Sequence, residues 1–366
     1  MINLQFFPSR RIALYMARLF VTRSLAVMAA LVVILQMLDL LGESGRILAW
    51  HGNGEPELWR YVSLRAPQLI AFTLPFSVLL GTLITLATLN QNSEIVSMKA
   101  AGISAHQIIA PLVLTSLFIA AFSFAFNERV VTRASDTLDA WEAVDYGPVP
   151  RDSGVRPNIW VRSGDDLIFA RQVKGEGEST RLFGVTIYAR DSHQTLRRII
   201  DAEAGRRWKG EWMLTGVKSF DVAAASQETF PSMLYGKALE PMQFTLANIV
   251  ARERDFITLR RSIRAMKKAG RPTAEVESGY WHKYSGPLSA VLMPLLGAIA
   301  AFGLARSGQL FIRAVIGMAL GFAYFVADNF GLAMGNLGAY SPLVAAWAPF
   351  FLFLLIGEAV LIRTEE

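Results

Sequence analysis

The chain has 366 residues, 53% hydrophobic and only 18% charged, with a mean hydropathy of +0.35, which is a membrane protein's composition. Lys and Arg number 36 against 30 Asp and Glu, a net +6 that fits membrane topology and anionic headgroups, and no aromatic-interleaved basic cluster points to nucleic acid. The absence of cysteine excludes disulfides, thiolate metal sites and a cysteine nucleophile, and the four histidines, His51, His106, His193 and His282, match no HExxH or comparable zinc spacing, so no metal is expected.

Residues Pro8 to Arg23 carry Arg10, Arg11, Arg18 and Arg23 on a helical pattern, and Ser24 to Gly42 is almost wholly apolar apart from Gln36 and Asp39. This reads as a first span behind an arginine-rich cytoplasmic approach. The apolar run is too long for a cleaved signal peptide and no small-residue cleavage pattern follows, so it is expected to remain as an anchor. Glu43 to Arg65, with Gly52, Gly54 and Pro56, reads as a short outer loop, and Ala66 to Leu89 as the second span, its Pro67 and Pro75 marking a helix start and a kink.

Between the second span and the third, His106 to Phe126, lies the polar stretch LNQNSEIVSMKAAGIS from Leu89 to Ser104. Asn92 or Ser93 is placed to cap a short helix whose first-turn acid is Glu94, and Gly102 to end it in a left-handed conformation. Ile95, Val96, Met98, Ala100 and Ala101 give the helix an apolar side while Glu94, Ser97 and Lys99 stay polar, so it suits a membrane surface or another protein's groove. A plain interfacial connector is the alternative.

After Asn127 the pattern changes, and no run up to about Asp255 is long and apolar enough to cross a bilayer. NIWVRSGDDLIFARQV (Asn158 to Val173), RLFGVTIYAR (Arg181 to Arg190) and RRWKGEWMLTGVKSF (Arg206 to Phe220) are strand-like pieces separated by Gly- and Asp-rich turns. They predict an antiparallel sandwich or jelly roll inserted between membrane helices. DFITLRRSIRAMKKAG, Asp255 to Gly270, has the spacing of an amphipathic helix leading back to the membrane. Three further spans follow: about Trp281 to Leu304, Leu310 to Phe330 and Val344 to Ile362, the second carrying Gly317 and Gly321 as a packing notch. Lys99, Arg306, Arg313 and Arg363 fall on the same side as the N-terminal arginines, which puts both termini in the cytoplasm and the insert outside.

Asp39, Asp328 and Glu358 lie in or at the ends of these spans, where an ionised carboxylate is costly unless it reaches water, a partner or a cavity. Glu358, with Arg363 beyond it, reads as an interfacial residue. Asp39 and Asp328 line a cavity open to the outer leaflet or are merely interfacial. Trp281 and Lys283 start the fourth span at headgroup level, where an ammonium can pair with a lipid phosphate. There is no GxxxxGK[ST] phosphate loop and no GxSxG elbow; GEGES at Gly175 reads as a turn, as do Asp165 and Asp166. ATP hydrolysis by such a loop is therefore excluded for this chain.

SEIVSMKAAG (Ser93 to Gly102) resembles the cytoplasmic coupling helix of the lipopolysaccharide export permeases, the LptF/LptG family. NERVV at Asn127, the NIWVRSGDDLIFARQV hairpin, WHKYSGPL (Trp281 to Leu288) and YFVADNFG (Tyr324 to Gly331) also resemble that family, and the likeness covers essentially the whole chain. The IWVR hairpin and the VADNFG stretch look more like the LptG half than the LptF half. The resemblance implies a membrane α-helical fold of six transmembrane helices, three plus three, with an inserted periplasmic antiparallel β-jellyroll. Its parts would be residues 1–126 with a coupling helix at about 91–102, a jellyroll over 127–255, and a linker helix with spans four to six over 256–366. It also implies an inner-membrane heterodimer with an LptF-like permease, an LptB-like ATPase dimer that binds the ATP and Mg, an LptC-like periplasmic protein, lipopolysaccharide as cargo, and no cofactor in this chain.

On that resemblance Ser93, Glu94, Met98, Lys99 and Gly102 form the ATPase-coupling site, with Glu94 in the ATPase groove. Spans one and five would line the substrate cavity, with Gln36, Asp39, Glu43, Arg46, Arg133, Lys283 and Asp328 as its candidate residues. One departure stands out: better-known LptG members of the family carry lysines near the outer end of the first span, whereas this chain has Gln36, Gly42 and Glu43 there and only Arg46 close by. The stretch after the third span is acidic, with Asp136, Asp139 and Glu142 following Arg129 and Arg133. These differences predict either a substrate with fewer phosphates or a phosphate clamp rebuilt from Arg46, Arg133 and Lys283. Other readings are a permease for another envelope lipid or lipoprotein, a membrane-anchored enzyme whose insert is catalytic, for which no acid or nucleophile cluster is visible, and a scaffold whose loop docks a partner.

Overall fold

The computed structural model describes residues 8–142, 144–148, 155–175, 177–191, 195–208, 210–236, 239–241, 244, 256–268, 272–301 and 310–363. Arg306, Asp255, Lys209, Gly270 and the end of the expected fourth span lie outside them. Contacts divide the chain into two compact units, one of residues 1–48, 53–136 and 251–366, the other of 49–52 and 137–250.

The first unit is helical. Helix α1 is Arg10–Ala49 and α2 is Glu55–Gln91, so the expected outer loop shrinks to residues 50–54. Helix α2 starts well before its apolar stretch because Pro56 is tolerated in its first turn, and because the Glu57 carboxylate accepts the Gly54 N–H at 2.8 Å. Pro67 therefore lies inside α2 with Pro75 and does not start it. A short α3 (Glu94–Ala100) leads to α4 (Ala105–Phe126), which runs through a π-helical turn (Asn127–Val131) into α5 (Thr132–Glu142). The expected amphipathic helix is α6 (Phe256–Lys268), with Leu259 and Met266 buried. Then come α7 (Ala274–Ala301), α8 (Leu310–Asn336) and α9 (Pro342–Arg363).

Among the described residues five helical stretches are long and apolar enough to cross a membrane: Arg10–Ala49, Glu55–Gln91, Ala105–Glu142, Val315–Asn336 and Pro342–Arg363. Helix α7, the expected fourth span, is not among them. Its opening turns, AEVESGYWHKYS, are polar, and its apolar part is the middle of the bundle, where Ala290, Leu292, Met293, Leu295, Leu296 and Ala298 are buried. Small residues bring the neighbouring helices close to it. A Cβ on Gly297 would lie 2.7 Å from Thr82 of α2, and one on Gly357 of α9 would lie 3.2 Å from Leu295. Gly321 of the expected notch on α8 is used in the same way, since a Cβ there would run into the Leu79 side chain of α2.

Helix α1 is the exception, because few of its side chains are buried. Met16, Phe20 and Ser24 repeat every fourth residue and seat its first half, where Gly81 of α2 lies so near Ser24 that a Cβ would come within 2.7 Å of its Cα. Arg23 donates to the Ile84 carbonyl at 2.7 Å on the same side. Farther along, Val33, Ile34, Met37, Leu38 and Leu41 are exposed. Such a surface is stable only against lipid or another chain.

The second unit is built on a six-stranded antiparallel sheet of order β1 to β6: Val155–Ser163, Asp166–Lys174, Arg181–Arg190, Leu196–Trp208, Glu211–Asp221 and Ser226–Tyr235. The expected strands are present, but the described ones form a meander in which each pairs with the next. Tight turns at Gly164, Gly210 and Val222 to Ala225 make these local pairings, so no Greek-key crossing of the jelly-roll kind occurs among them. The ladders break along one line. Asn158, Arg171, Gly184, Glu203, Gly216 and Pro231 stand opposite one another and none is paired, while Asn158, Gly184 and Gly216 have φ of 52°, 59° and 64°. Beside that crease Ile159, Ala170, Val185, Ala202 and Val217 form a buried row. The sheet curls enough for Tyr235 of β6 to donate its hydroxyl to Asp166 of β2. Leu239 and Phe244 complete the core, with Trp212 donating its indole N–H to the Leu239 carbonyl at 2.7 Å.

Candidate functional site

The polar stretch folds as a helix of seven residues with a firm end. Gly102 has φ of +81°, its N–H reaches the Lys99 carbonyl, and the Ile103 N–H reaches that of Met98, each at 3.0 Å, which is a Schellman ending. The start differs from expectation. Ser93 takes a left-handed φ of 57° and caps nothing with its side chain, because α2 ends only at Gln91 and the chain must turn within two residues. Asn92 instead donates its amide to Glu94 Oε1 at 3.2 Å, and the same oxygen accepts the Tyr15 hydroxyl of α1 at 3.2 Å. Ile95 is buried and Met98 packs on the bundle core, whereas Val96, Ser97, Lys99, Ala100 and Ala101 face outward. Ile12, Tyr15, Met16, Asn92, Glu94, Ser97 and Met98 line a cleft of about 280 Å³. Glu94 is thus an oriented carboxylate at the edge of an open cleft, suited to receive a cationic side chain from outside.

The charges within the first span have partners that the sequence did not reveal. Asp39 accepts Arg65 Nε and Nη2, each at 3.1 Å, and the Tyr61 hydroxyl at 2.5 Å. Gln68 lies beside Arg65 and donates to Ser135 at 2.7 Å. Gln36, one turn before Asp39, is buried with neither amide atom bonded to a described residue. Glu43 holds Arg46 at 3.0 Å, and Arg133 is exposed on α5. Glu358 lies 3.5 Å from His106, both about two-fifths exposed.

Two neighbouring residues of α7 point to different partners. His282 meets Asp328 of α8 at 2.9 Å, and Lys283 meets Glu128 of the π-helical turn at 3.0 Å. Lys283 is only 7% exposed. His282 belongs to a polar seam that escaped the sequence reading: Ser278, His282, Ser285 and Ser289 lie on one face of α7, and Tyr324, Asp328, Gly331 and Gly335 repeat the same spacing on α8. A Cβ on Gly335 would sit 2.6 Å from Ser278 Oγ, so the two faces are in close contact. Ser278 Oγ, Ser285 Oγ, the Tyr324 hydroxyl and Asp328 Oδ1 are buried without a hydrogen-bond partner among the described residues. Buried polar atoms of this kind are the usual hosts of ordered water. The signal was legible only as serines at helical spacing.

The candidate residues therefore fall into separate groups. Ser93, Glu94, Met98, Lys99 and Gly102 share the polar turn, while Asp39, Glu43 and Arg46 follow one another along α1, and Lys283 and Asp328 are engaged by Glu128 and His282. A model of the family described as lipopolysaccharide export system permease LptF/LptG matches residues 14–363. The chain is similar to the lipopolysaccharide export system permease protein LptG of Escherichia coli (strain K12), 26% identical over 310 residues that cover 83% of this chain and 84% of that protein. It is also similar to the protein of the same name from Haemophilus influenzae, 24% identical over 326 residues, with 86% and 89% covered.

Proposed function

The chain belongs to the LptF/LptG family of lipopolysaccharide export permeases, whose members are non-catalytic membrane subunits, and from that premise we propose that it is the LptG-like half of the transporter. In this reading six spans, α7 supplying the fourth, sit in the bacterial inner membrane with both termini cytoplasmic and the sheet unit in the periplasm. An LptF-like permease completes the heterodimer, an LptB-like ATPase dimer supplies ATP and Mg chemistry, and an LptC-like protein joins on the periplasmic side. The complex takes lipopolysaccharide from the outer leaflet and passes it to the periplasmic bridge.

The observation that carries the reading is Glu94, fixed between α1 and the turn after α2 at the rim of an open cleft. Its hydrogen bond to Tyr15 ties the coupling turn to α1, the helix with the long unburied apolar flank, so a push on the turn acts directly on a cavity-lining helix. Proteoliposomes holding this chain with its three partners test it. ATP-dependent transfer of lipopolysaccharide to a periplasmic acceptor is expected, and active ATP turnover without transfer contradicts the assignment.

The cargo is best read as a lipid A with fewer phosphates. Glu43 already holds Arg46, and Lys283 is enclosed with Glu128, which supports that version over a rebuilt cationic clamp. Removing the phosphates from lipid A should change its affinity by less than about threefold, under the 1.4 kcal/mol of a tenfold step. A loss of a hundredfold would contradict it.

A further inference from the structure

NERVV and WHKYSGPL are distinctive stretches that the transport reading leaves unused, and the structure joins them. In the π-helical turn Asn127–Val131, Glu128 receives donors from two other elements. Its Oε2 accepts Lys283 Nζ of α7 at 3.0 Å, and its other oxygen accepts the backbone N–H of Phe256, the first residue of α6. A carboxylate there satisfies one of the unpaired N–H groups that begin a helix and lies at its positive end. Aromatic rings surround the group: Phe256 stacks on Tyr280 at 4.8 Å and meets Tyr284 edge-on at 5.5 Å, and Tyr284 stacks on Phe124 at 5.8 Å. With Lys283 and Glu128 only 7% and 23% exposed, this is not a solvated surface pair.

Chain position gives the group its meaning. Residues 137–250 belong to the sheet unit, while 53–136 and 251–366 belong to the helical one. Glu128 stands shortly before the chain leaves the helical unit, and Phe256 shortly after it returns. One carboxylate therefore ties Glu128 and Phe256, both within the helical unit, to α7, and a local widening of the helix sits at that point.

We propose that Glu128 is a positioning residue for transport: with Lys283 and the Phe256 amide it holds the end of the third span and the start of α6 to α7, so that a rearrangement of the helices is passed on toward the sheet unit. The transport part rests on the function proposed above. Lys283 then serves Glu128 and is not a ligand for lipid phosphate.

Two variants in the reconstituted complex separate these roles: Lys283→Met, and Lys283→Met combined with Glu128→Gln. Lys283→Met strands a carboxylate and should lower the lipid moved per ATP hydrolysed by about tenfold, the effect of breaking one enclosed pair. In the double variant the amide oxygen still accepts the Phe256 N–H and no ion is left unpaired, so the ratio should return to within about threefold of wild type. A double variant as impaired as Lys283→Met overturns the proposal, because the lysine then acts by itself. Hydrogen exchange on the purified full chain reads the joint independently of transport. Amides of residues 129–142 and 256–268 should exchange about tenfold faster in Lys283→Met and recover in the double variant. If the wild type moves no lipid but exchange follows this pattern, the joint stands and the transport assignment falls. Unchanged exchange in Lys283→Met overturns the joint.

Discussion

Glu94 is oriented before anything binds it, because Tyr15 and Asn92 share its Oε1 and fix the carboxylate toward the cleft. Tyr15→Phe removes one hydrogen bond to a charged group, worth about 1.5–3 kcal/mol. It should cut the lipid transferred per ATP severalfold while leaving the complex assembled, which co-purification of the four subunits would show. Asp39 poses the opposite case, since Arg65 and Tyr61 already satisfy it. Arg65→Leu strands that carboxylate and should destabilise the detergent-solubilised chain by about 3 kcal/mol in thermal unfolding, whereas adding Asp39→Asn should recover most of it. At this scale the sequence showed which carboxylates were out of place but not what held them. Arg65 and His282 sit on other helices, and the rotation of one helix against another leaves no trace in either helix's own periodicity.

Among the elements, the sheet is the one whose behaviour depends most on a few positions. Its crease passes through Gly184 and Gly216, each at positive φ, where a Cβ would lie 3.1 Å from Arg171 and 2.8 Å from Glu203. Gly216→Val combines a forbidden backbone conformation with a clash and should cost more than about 3 kcal/mol, read as loss of Trp212 fluorescence burial at lower denaturant. Tyr235 adds a pH dependence. Burial, with the Asp166 carboxylate it donates to, holds its hydroxyl protonated well above the usual tyrosine range. The folded state thus keeps a proton that the unfolded chain gives up, so this contribution is complete below about pH 10 and is lost as pH rises beyond it. Alkaline unfolding should show that loss, and Tyr235→Phe should flatten it. The strands themselves were legible from alternation and turn residues, as was the Gly102 ending of the short α3. The meander and its crease were not, because pairing order and opposition across six strands depend on contacts far apart in sequence.

For the molecule as a whole, composition and span length identified a multi-pass membrane protein, and motif likeness identified the family that the comparison over residues 14–363 shows. Helix α7 was harder to read, since its polar opening carries His282 and Lys283 among buried serines and only neighbouring helices make such a segment tolerable. Loose seating of α1 and dense seating of α7 divide the bundle into one helix with an unburied apolar flank and one on which α2, α4, α8 and α9 all pack. That division suits a machine in which a push at α3 moves α1 against a fixed centre. The most direct test compares wild type with Glu94→Ala and Glu94→Gln in proteoliposomes containing all four subunits, measuring lipopolysaccharide released per ATP hydrolysed. Loss of release of about a hundredfold in Glu94→Ala, with the complex intact, is predicted, since an oriented charged contact across a protein interface is worth about 2–5 kcal/mol. Release at the wild-type level in both variants would contradict the coupling role of this turn.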